Sequence, residues 1–397
     1  MVAVSGVRAW ECLDSRGHPT VGCEVTAEGG ATGVALVPTG ASTGQHEVAD
    51  LRDGGERYAG LGVRGAVAMI ENEVADAVVG HPVDAVDEVL AGPSNVTLAV
   101  SVAAAKAAAS AAGVPLWRFF ADGADGSGGR GAAGPVRLPC PMVNVFSGGR
   151  HAEGGGAIQD FLVVPLAAAT FAEAIEHVWL VRRRAAALVE AEHGRLWSRL
   201  VADEGGLALP GGADQRPLEL LTTAIDRAGV PAGIAIDVAA TQTSFDREDL
   251  LRWCRDYPVV SVEDPLGDAD WAGWAALTAD LAPRQVVGDD LFATDADRVA
   301  TGARHGAANT VLIKPNQIGT LAGAWLAVRA ARRAGYRTIV SARSGDTEDD
   351  LIADLAVGWD AGQIKVGSVQ RSERLAKYNR LLRLEAVERL PYAGWPG

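Results

Sequence analysis

Ile234-Ala-Ile-Asp237, Val260-Ser-Val-Glu263, Val286-Val-Gly-Asp289 and Val311-Leu-Ile-Lys314 are four short apolar runs, each closed by one charged residue. The closing residues lie 26, 26 and 25 positions apart, about one strand and one helix each. Such a repeat predicts parallel strands joined by helices, with the four charged side chains at neighbouring points on one rim. In a closed barrel that rim is the C-terminal mouth, where barrel enzymes keep their chemistry.

Working outward, further apolar runs occur near 142–146, 158–164, 196–202 and 338–340. With 234–236, 259–262, 285–287 and 310–313 they make eight, the number that closes a TIM-type barrel. The first two runs leave little room for a helix between them, so an irregular start is expected. An open doubly wound sheet is the competing architecture. Upstream, residues 2–10 and 20–27 alternate like strands about the turn Asp14-Ser-Arg-Gly17, and 63–79 and 96–112 carry helical periodicity. The Gly-rich stretch 122–134 reads as a linker. The expected division is therefore a mixed α+β capping domain, 1–134, and a barrel domain, 135–397.

Three carboxylates brought to one place repel one another unless a cation neutralises them. Asp237, Glu263 and Asp289 include no His or Cys, and hard oxygen donors of this kind suit Mg²⁺, with Mn²⁺ as the alternative. The competing reading gives each acid the duty of capping the helix that follows its strand.

Composition narrows the rest. A net charge of −14 argues against sequence-independent nucleic-acid binding and against an anionic membrane surface. The four scattered cysteines, Cys12, Cys23, Cys140 and Cys254, show no CxxC spacing and read as reduced thiols. The N-terminus has no cationic segment followed by an apolar run, and the Ala-rich segment 98–112 is broken by Ser101, Lys106 and Ser110. Cytoplasm is the expected location.

The chain also carries Asp14-Ser-Arg-Gly-His-Pro-Thr-Val, Gly40-Ala-Ser-Thr-Gly44, Asp203-Glu-Gly-Gly, Ser261-Val-Glu-Asp, Gly288-Asp-Asp-Leu, Ile313-Lys-Pro-Asn-Gln-Ile-Gly, Arg343-Ser-Gly-Asp-Thr-Glu-Asp and Gly362-Gln-Ile-Lys. Each alone is weak; together, in this order, they resemble the enolase family over nearly the whole chain. The resemblance implies a ββαα(βα)₆ barrel behind an N-terminal cap and usually a homodimer. It assigns Asp237, Glu263 and Asp289 to one Mg²⁺, and Ser42 to a second that joins when substrate binds. Lys314 would take the C2 proton of 2-phosphoglycerate, an act that requires a lowered amine pKa. Glu204, expected to end the third strand and face Lys314, would protonate the departing hydroxyl. His151 and Asp160 would lie beside the leaving group with Gln159. Arg343 and Ser344 would hold the phosphate, and Lys365 the substrate carboxylate.

Three departures accompany the resemblance. Ala342 stands where the family has a histidine, Asp160 where it has a glutamate, and the segment from Asp237 to Glu263 lacks a longer excursion that includes a lid loop. All three lie in or beside the leaving-group and phosphate region. Two enzymatic readings follow: a lyase acting on 2-phosphoglycerate, or a specialised paralogue. The second resembles carboxyphosphonoenolpyruvate synthase of phosphonate biosynthesis, joining a 2-phosphoglycerate-type substrate to an activated phosphonoformate. A binding protein on a retired scaffold is the non-enzymatic alternative.

Overall fold

A computed structural model describes residues 2–41, 44–123, 136–152, 154–212, 214–243 and 245–397. Ser42 and the expected boundary between residues 134 and 135 lie outside these residues.

The N-terminal part is an antiparallel sheet of β1 (Val4–Leu13), β2 (Pro19–Ala27) and β3 (Thr32–Leu36). Helices α1 (Arg64–Met69) and α2 (Ala75–Val78), joined by a π-helical turn, and α3 (Ser94–Ala112) and α4 (Leu116–Ala121) complete it. Strand β3 continues the sheet beyond the two strands expected. Helix α3 is long and apolar enough to cross a membrane by composition, yet 78% of that window is buried inside the molecule. Its alanines let it pack close: a Cβ on Gly33 of β3 would collide with the α3 backbone.

The C-terminal part begins with β4 (Cys140–Ser147) and β5 (Asp160–Pro165). Two helices follow, α5 (Phe171–His193) and α6 (Gln215–Ala228), with the two-residue β6 (Leu207–Ala208) between them. Then come β7 (Ala232–Asp237), α7 (Arg247–Asp256), β8 (Val259–Glu263), α8 (Trp271–Leu281), β9 (Gln285–Gly288), α9 (Ala296–His305) and β10 (Thr310–Ile313). The chain closes with α10 (Pro315–Ile318), α11 (Leu321–Arg333), β11 (Arg337–Ser341), α12 (Leu351–Gly358), β12 (Gly362–Gly367) and α13 (Ser372–Arg383). Strand β12 pairs back onto β4, so eight strands close into a barrel of ββαα(βα)₆ order. Inside it Met142, Leu162, Val164, Val287, Leu312 and Ile339 form a core of their own.

Two expectations are corrected. The run 196–202 forms turns, Val201 making only an isolated bridge to Leu207, and the eighth strand is β12. Exposed Leu196 and Leu200 show why: the run has no second layer to bury against. Nor are all strands parallel, since β5 runs antiparallel to both β4 and β7. The short connection after β4 leaves no room for a crossover helix, which a parallel neighbour requires.

Cap and barrel are pinned together by polar contacts. Thr39 and Gly345 exchange backbone hydrogen bonds of 2.7 and 2.9 Å. Lys106 on α3 reaches Asp349 at 2.7 Å, and the same carboxylate accepts the Leu36 N–H at 3.0 Å. Burial would raise the Asp349 pKa, but Lys106 outweighs it and holds the carboxyl below its usual range. Lys106→Met should therefore cost about 1–3 kcal/mol, the scale for stranding a largely buried hydrogen-bonded acceptor. Because the folded pKa is depressed, that contribution is present above the unfolded value of about 3.9 and is lost as pH falls through the lower folded one. Urea titrations should show the two proteins well separated at pH 7 and converging in acid; equal stability at pH 7 would refute the staple.

Candidate active site

Asp237 and Glu263 are the last residues of β7 and β8, and Asp289 and Lys314 directly follow β9 and β10. The helices that follow take their N-caps from other residues. Asp246 accepts the Glu248 N–H, Asp270 the Gly273 N–H, and Asp295 the N–H groups of Asp297 and Arg298. The strand-end acids are thus released from capping duty and turn into the mouth, buried to within a few per cent of complete. The capping alternative is excluded for them.

The acids meet two ammonium groups. Lys365, projecting from β12, donates to Asp237 at 2.7 Å and to Glu263 at 2.6 Å. Lys314 pairs with Asp289, which also accepts Gln317 Nε2 at 2.8 Å. Burial alone would depress both lysines, but Asp289 raises Lys314, and Asp237 with Glu263 raises Lys365 well above its ordinary value. With Asp289 as its partner, Lys314 holds its proton more firmly than burial alone would allow. Lys365, expected on a substrate carboxylate, is here the counter-ion of two protein acids and also lines the cavity described below.

Negative charge still exceeds what the lysines neutralise. Burial, then repulsion from Asp237, pushes Glu263 up to about 8. Behind it lie two acids the sequence reading quoted within motifs but did not assign. Asp264 accepts the N–H groups of Asp289 and Asp290 at 3.0 and 2.8 Å, and burial beside them raises it well above the usual range. Asp290, bonded by the Thr241 hydroxyl, is raised to about 6 by burial and by Asp289.

The antiparallel β5 explains the other side of the mouth. Its first residue, Asp160, lies opposite Ser147 of β4 and Asp237 of β7, so a strand beginning delivers a side chain among strand ends. Asp160 is fully buried and accepts Ser147 Oγ at 2.8 Å and the Asn144 amide. His151, in the turn after β4, places Nδ1 2.9 Å from Asp160 Oδ2. Burial opposes charge on this ring, yet Asp160, with Glu204 and Asp237 behind it, raises it to about 9. Gln159 reaches Asp237 at 3.2 Å.

Glu204 does not end a strand. It sits in the turn before β6, its carbonyl fixed by the Ser368 N–H at 2.8 Å. Burial would raise its pKa, but His151, Arg374, Lys365 and Lys314 together lower it, so it is held as a carboxylate. Glu204, His151 and Lys314 do line one cavity, of about 30 Å³, with Gln159, Arg343, Ser344 and Lys365. Arg343 donates to Glu47 Oε2 at 2.9 Å and Asn316 Oδ1 at 3.0 Å, and Ser344 Oγ accepts the Ala41 N–H at 2.7 Å. Glu47 went unassigned in the sequence; its one signal was nearness to the Gly40–Gly44 loop. Ala342 is buried in the same wall.

The donor set suits a hard divalent cation. Glu263 Oε1 is buried with no hydrogen-bond partner, and the surrounding donors are oxygens without thiolates. Among the described residues, donor atoms within 4.8 Å of one another group as Asp264, Asp289 and Asp290, and as His151, Asp160 and Glu204. Asp237, Glu263 and Asp289 do not meet so closely, Lys365 bridging the first two and Lys314 holding the third.

A family model described as enolase, N-terminal domain, matches residues 4–120. A second, described as enolase, C-terminal TIM barrel domain, matches 135–250 and 247–395.

Removing one counter-ion should reveal the charge excess. Lys365→Met should lose about 3 kcal/mol or more, the scale for breaking one side of a buried ion pair. Millimolar Mg²⁺ should then restore thermal stability more in the variant than in the wild type, as binding to the folded state does. Melting curves unmoved by Mg²⁺ in both proteins would count against a cation site.

Proposed function

Because the chain belongs to the enolase family and is an enolase-superfamily enzyme, we propose that it removes the C2 proton of 2-phosphoglycerate, or a close analogue, and expels the 3-hydroxyl to give an enolpyruvate. One observation carries this reading: Lys314, Glu204, His151, Arg343, Ser344 and Lys365 face a single cavity.

Arg343 and Ser344 receive the phosphate. The planar guanidinium fork matches two phosphoryl oxygens, provided its Glu47 partner yields. Lys314 Nζ takes the C2 proton, which requires release from Asp289, since that carboxylate keeps the proton on it. The C–H electron pair moves toward the carboxylate as an enolate, then forms the C2–C3 double bond as the C3–O bond breaks. Glu204 gives the leaving hydroxyl a proton, so water departs. Glu204 is held ionised, and the His151 imidazolium beside it, sustained by Asp160, is the stored proton that can supply it. Mg²⁺, held by Asp237, Glu263 and Asp289 with Ser42 toward a second ion, would supply electrostatic stabilisation of the substrate's charge. A homodimer and a cytoplasmic setting belong to the same proposal.

A second reading is favoured by the short β7–α7 connection, which packs Thr241 onto Asp290, and by Ala342, which offers an incoming oxyanion no donor. It is the paralogue that joins a 2-phosphoglycerate-type substrate to an activated phosphonoformate.

The two separate in one assay, following the absorbance of the enol product with Mg²⁺ and 2-phosphoglycerate. Turnover of roughly 1–10³ s⁻¹ supports the lyase. Turnover only after an activated phosphonoformate is added supports the paralogue, and none in either condition refutes both. Lys314→Ala should abolish whichever activity is found while the protein stays folded, and retained activity would remove Lys314 as the base. Ala342→His should tighten 2-phosphoglycerate binding about tenfold, the value of one added charge-assisted hydrogen bond; unchanged affinity would dismiss the missing imidazole as the limit.

A further inference from the structure

Behind the Arg343–Ser344 pair lies a guanidinium with no exposure at all. Arg374, on α13, donates to the Arg343 carbonyl at 2.6 Å, to the Val366 carbonyl at 3.1 Å, and to the Ser344 carbonyl. One planar group thus fixes the backbone at the end of β11 and the backbone beside Lys365 on β12. A lysine cannot do this, since its point charge sets no fork direction.

The same side chain lies against Gly367, which also borders the other loop of the mouth. Gly367 has φ +105°, and a Cβ there would meet the Glu204 carbonyl at 2.8 Å and Arg374 Cδ at 3.0 Å. Glycine therefore lets the end of β12 sit close to both the Arg374 stem and the turn that carries Glu204. Arg374 is also one of the charges that keep Glu204 ionised.

We propose that Arg374 is a positioning residue. It touches no substrate, but it sets the aim of Arg343 and Ser344 and couples that aim to the Glu204 turn. The proposal rests on the reading of Arg343 and Ser344 as oxyanion binders. A purely structural role is the alternative, and Lys377 provides the control. It is equally buried on the same helix, yet it serves Asp346 at 3.0 Å and the Thr347 and Glu373 carbonyls rather than the pair.

The experiment measures 2-phosphoglycerate affinity with Mg²⁺ by calorimetry, beside melting temperature, in Arg374→Lys, Lys377→Met and Arg343→Lys. Arg374→Lys should weaken binding about 10–100-fold, the scale for a misplacement of about 1 Å. Lys377→Met should lower the melting temperature comparably and leave affinity unchanged. Combined with Ser344→Ala, Arg374→Lys should lose less than the two single effects together, because both act on one contact. Gly367→Ala, which keeps the guanidinium but presses on the Arg374 stem as well as on the Glu204 carbonyl, should weaken binding in the same sense, and its retained affinity would count against the proposal even if Arg374→Lys does not fold. Folded Arg374→Lys or Gly367→Ala with wild-type affinity overturns the proposal, as does an equal loss in Lys377→Met. Unchanged affinity in Arg343→Lys points elsewhere: the oxyanion reading itself then fails and takes the proposal with it.

Discussion

Among the described residues, seven carboxylates buried around one barrel mouth must find positive charge, and the rest of the site is arranged around that demand. Asp160, Glu204, Asp237, Glu263, Asp264, Asp289 and Asp290 are all buried there. Desolvation penalises each, and neighbours of like sign penalise them further. Lys314, Lys365, His151 and the arginines answer from separate elements, and where they fall short the acids take up protons more readily, as Glu263 and Asp290 do. The lysines are therefore bound to their acids before any substrate arrives. The proposed reaction would exchange those internal pairs for external ones, which would link substrate affinity to the stability of the resting protein.

Topology supplies the acids without distorting the barrel. Parallel strands present only their C-terminal ends at the mouth, which limits each to one or two contributing residues. Reversing β5 adds a strand beginning, and Asp160 stands in register with Asp237 and Ser147. The reversal also explains why Gln159 and Asp160 lie beside a carboxylate 77 or more residues away in the chain. The cap closes the opposite side through Ser344, whose hydroxyl accepts a cap-loop N–H, and through Glu47 on Arg343.

Much of this was legible in the residues. Equal spacing placed Asp237, Glu263, Asp289 and Lys314 on one rim, because strand-plus-helix length fixes where each strand ends. The reversal of β5 and the identity of the eighth strand were less visible. An apolar run of five to seven residues does not declare its direction, and 196–202 has a strand-like composition without a layer to pack against. The roles of Glu47 and Arg374 were obscured for another reason. Each acts through a partner about 30 or nearly 300 residues distant, and sequence spacing carries no trace of such a contact. The pairing of Lys314 with Asp289 was equally invisible, since the two close different strands 25 residues apart.

The assignment of helix caps to Asp246, Asp270 and Asp295, away from the strand ends, has a consequence for how such a scaffold diversifies. The signals that start the helices and the groups that perform the chemistry occupy different positions, so drift at one need not damage the other. A lineage can rewrite its reactive rim, or shorten the connection that carries part of it, and still inherit an intact folding programme.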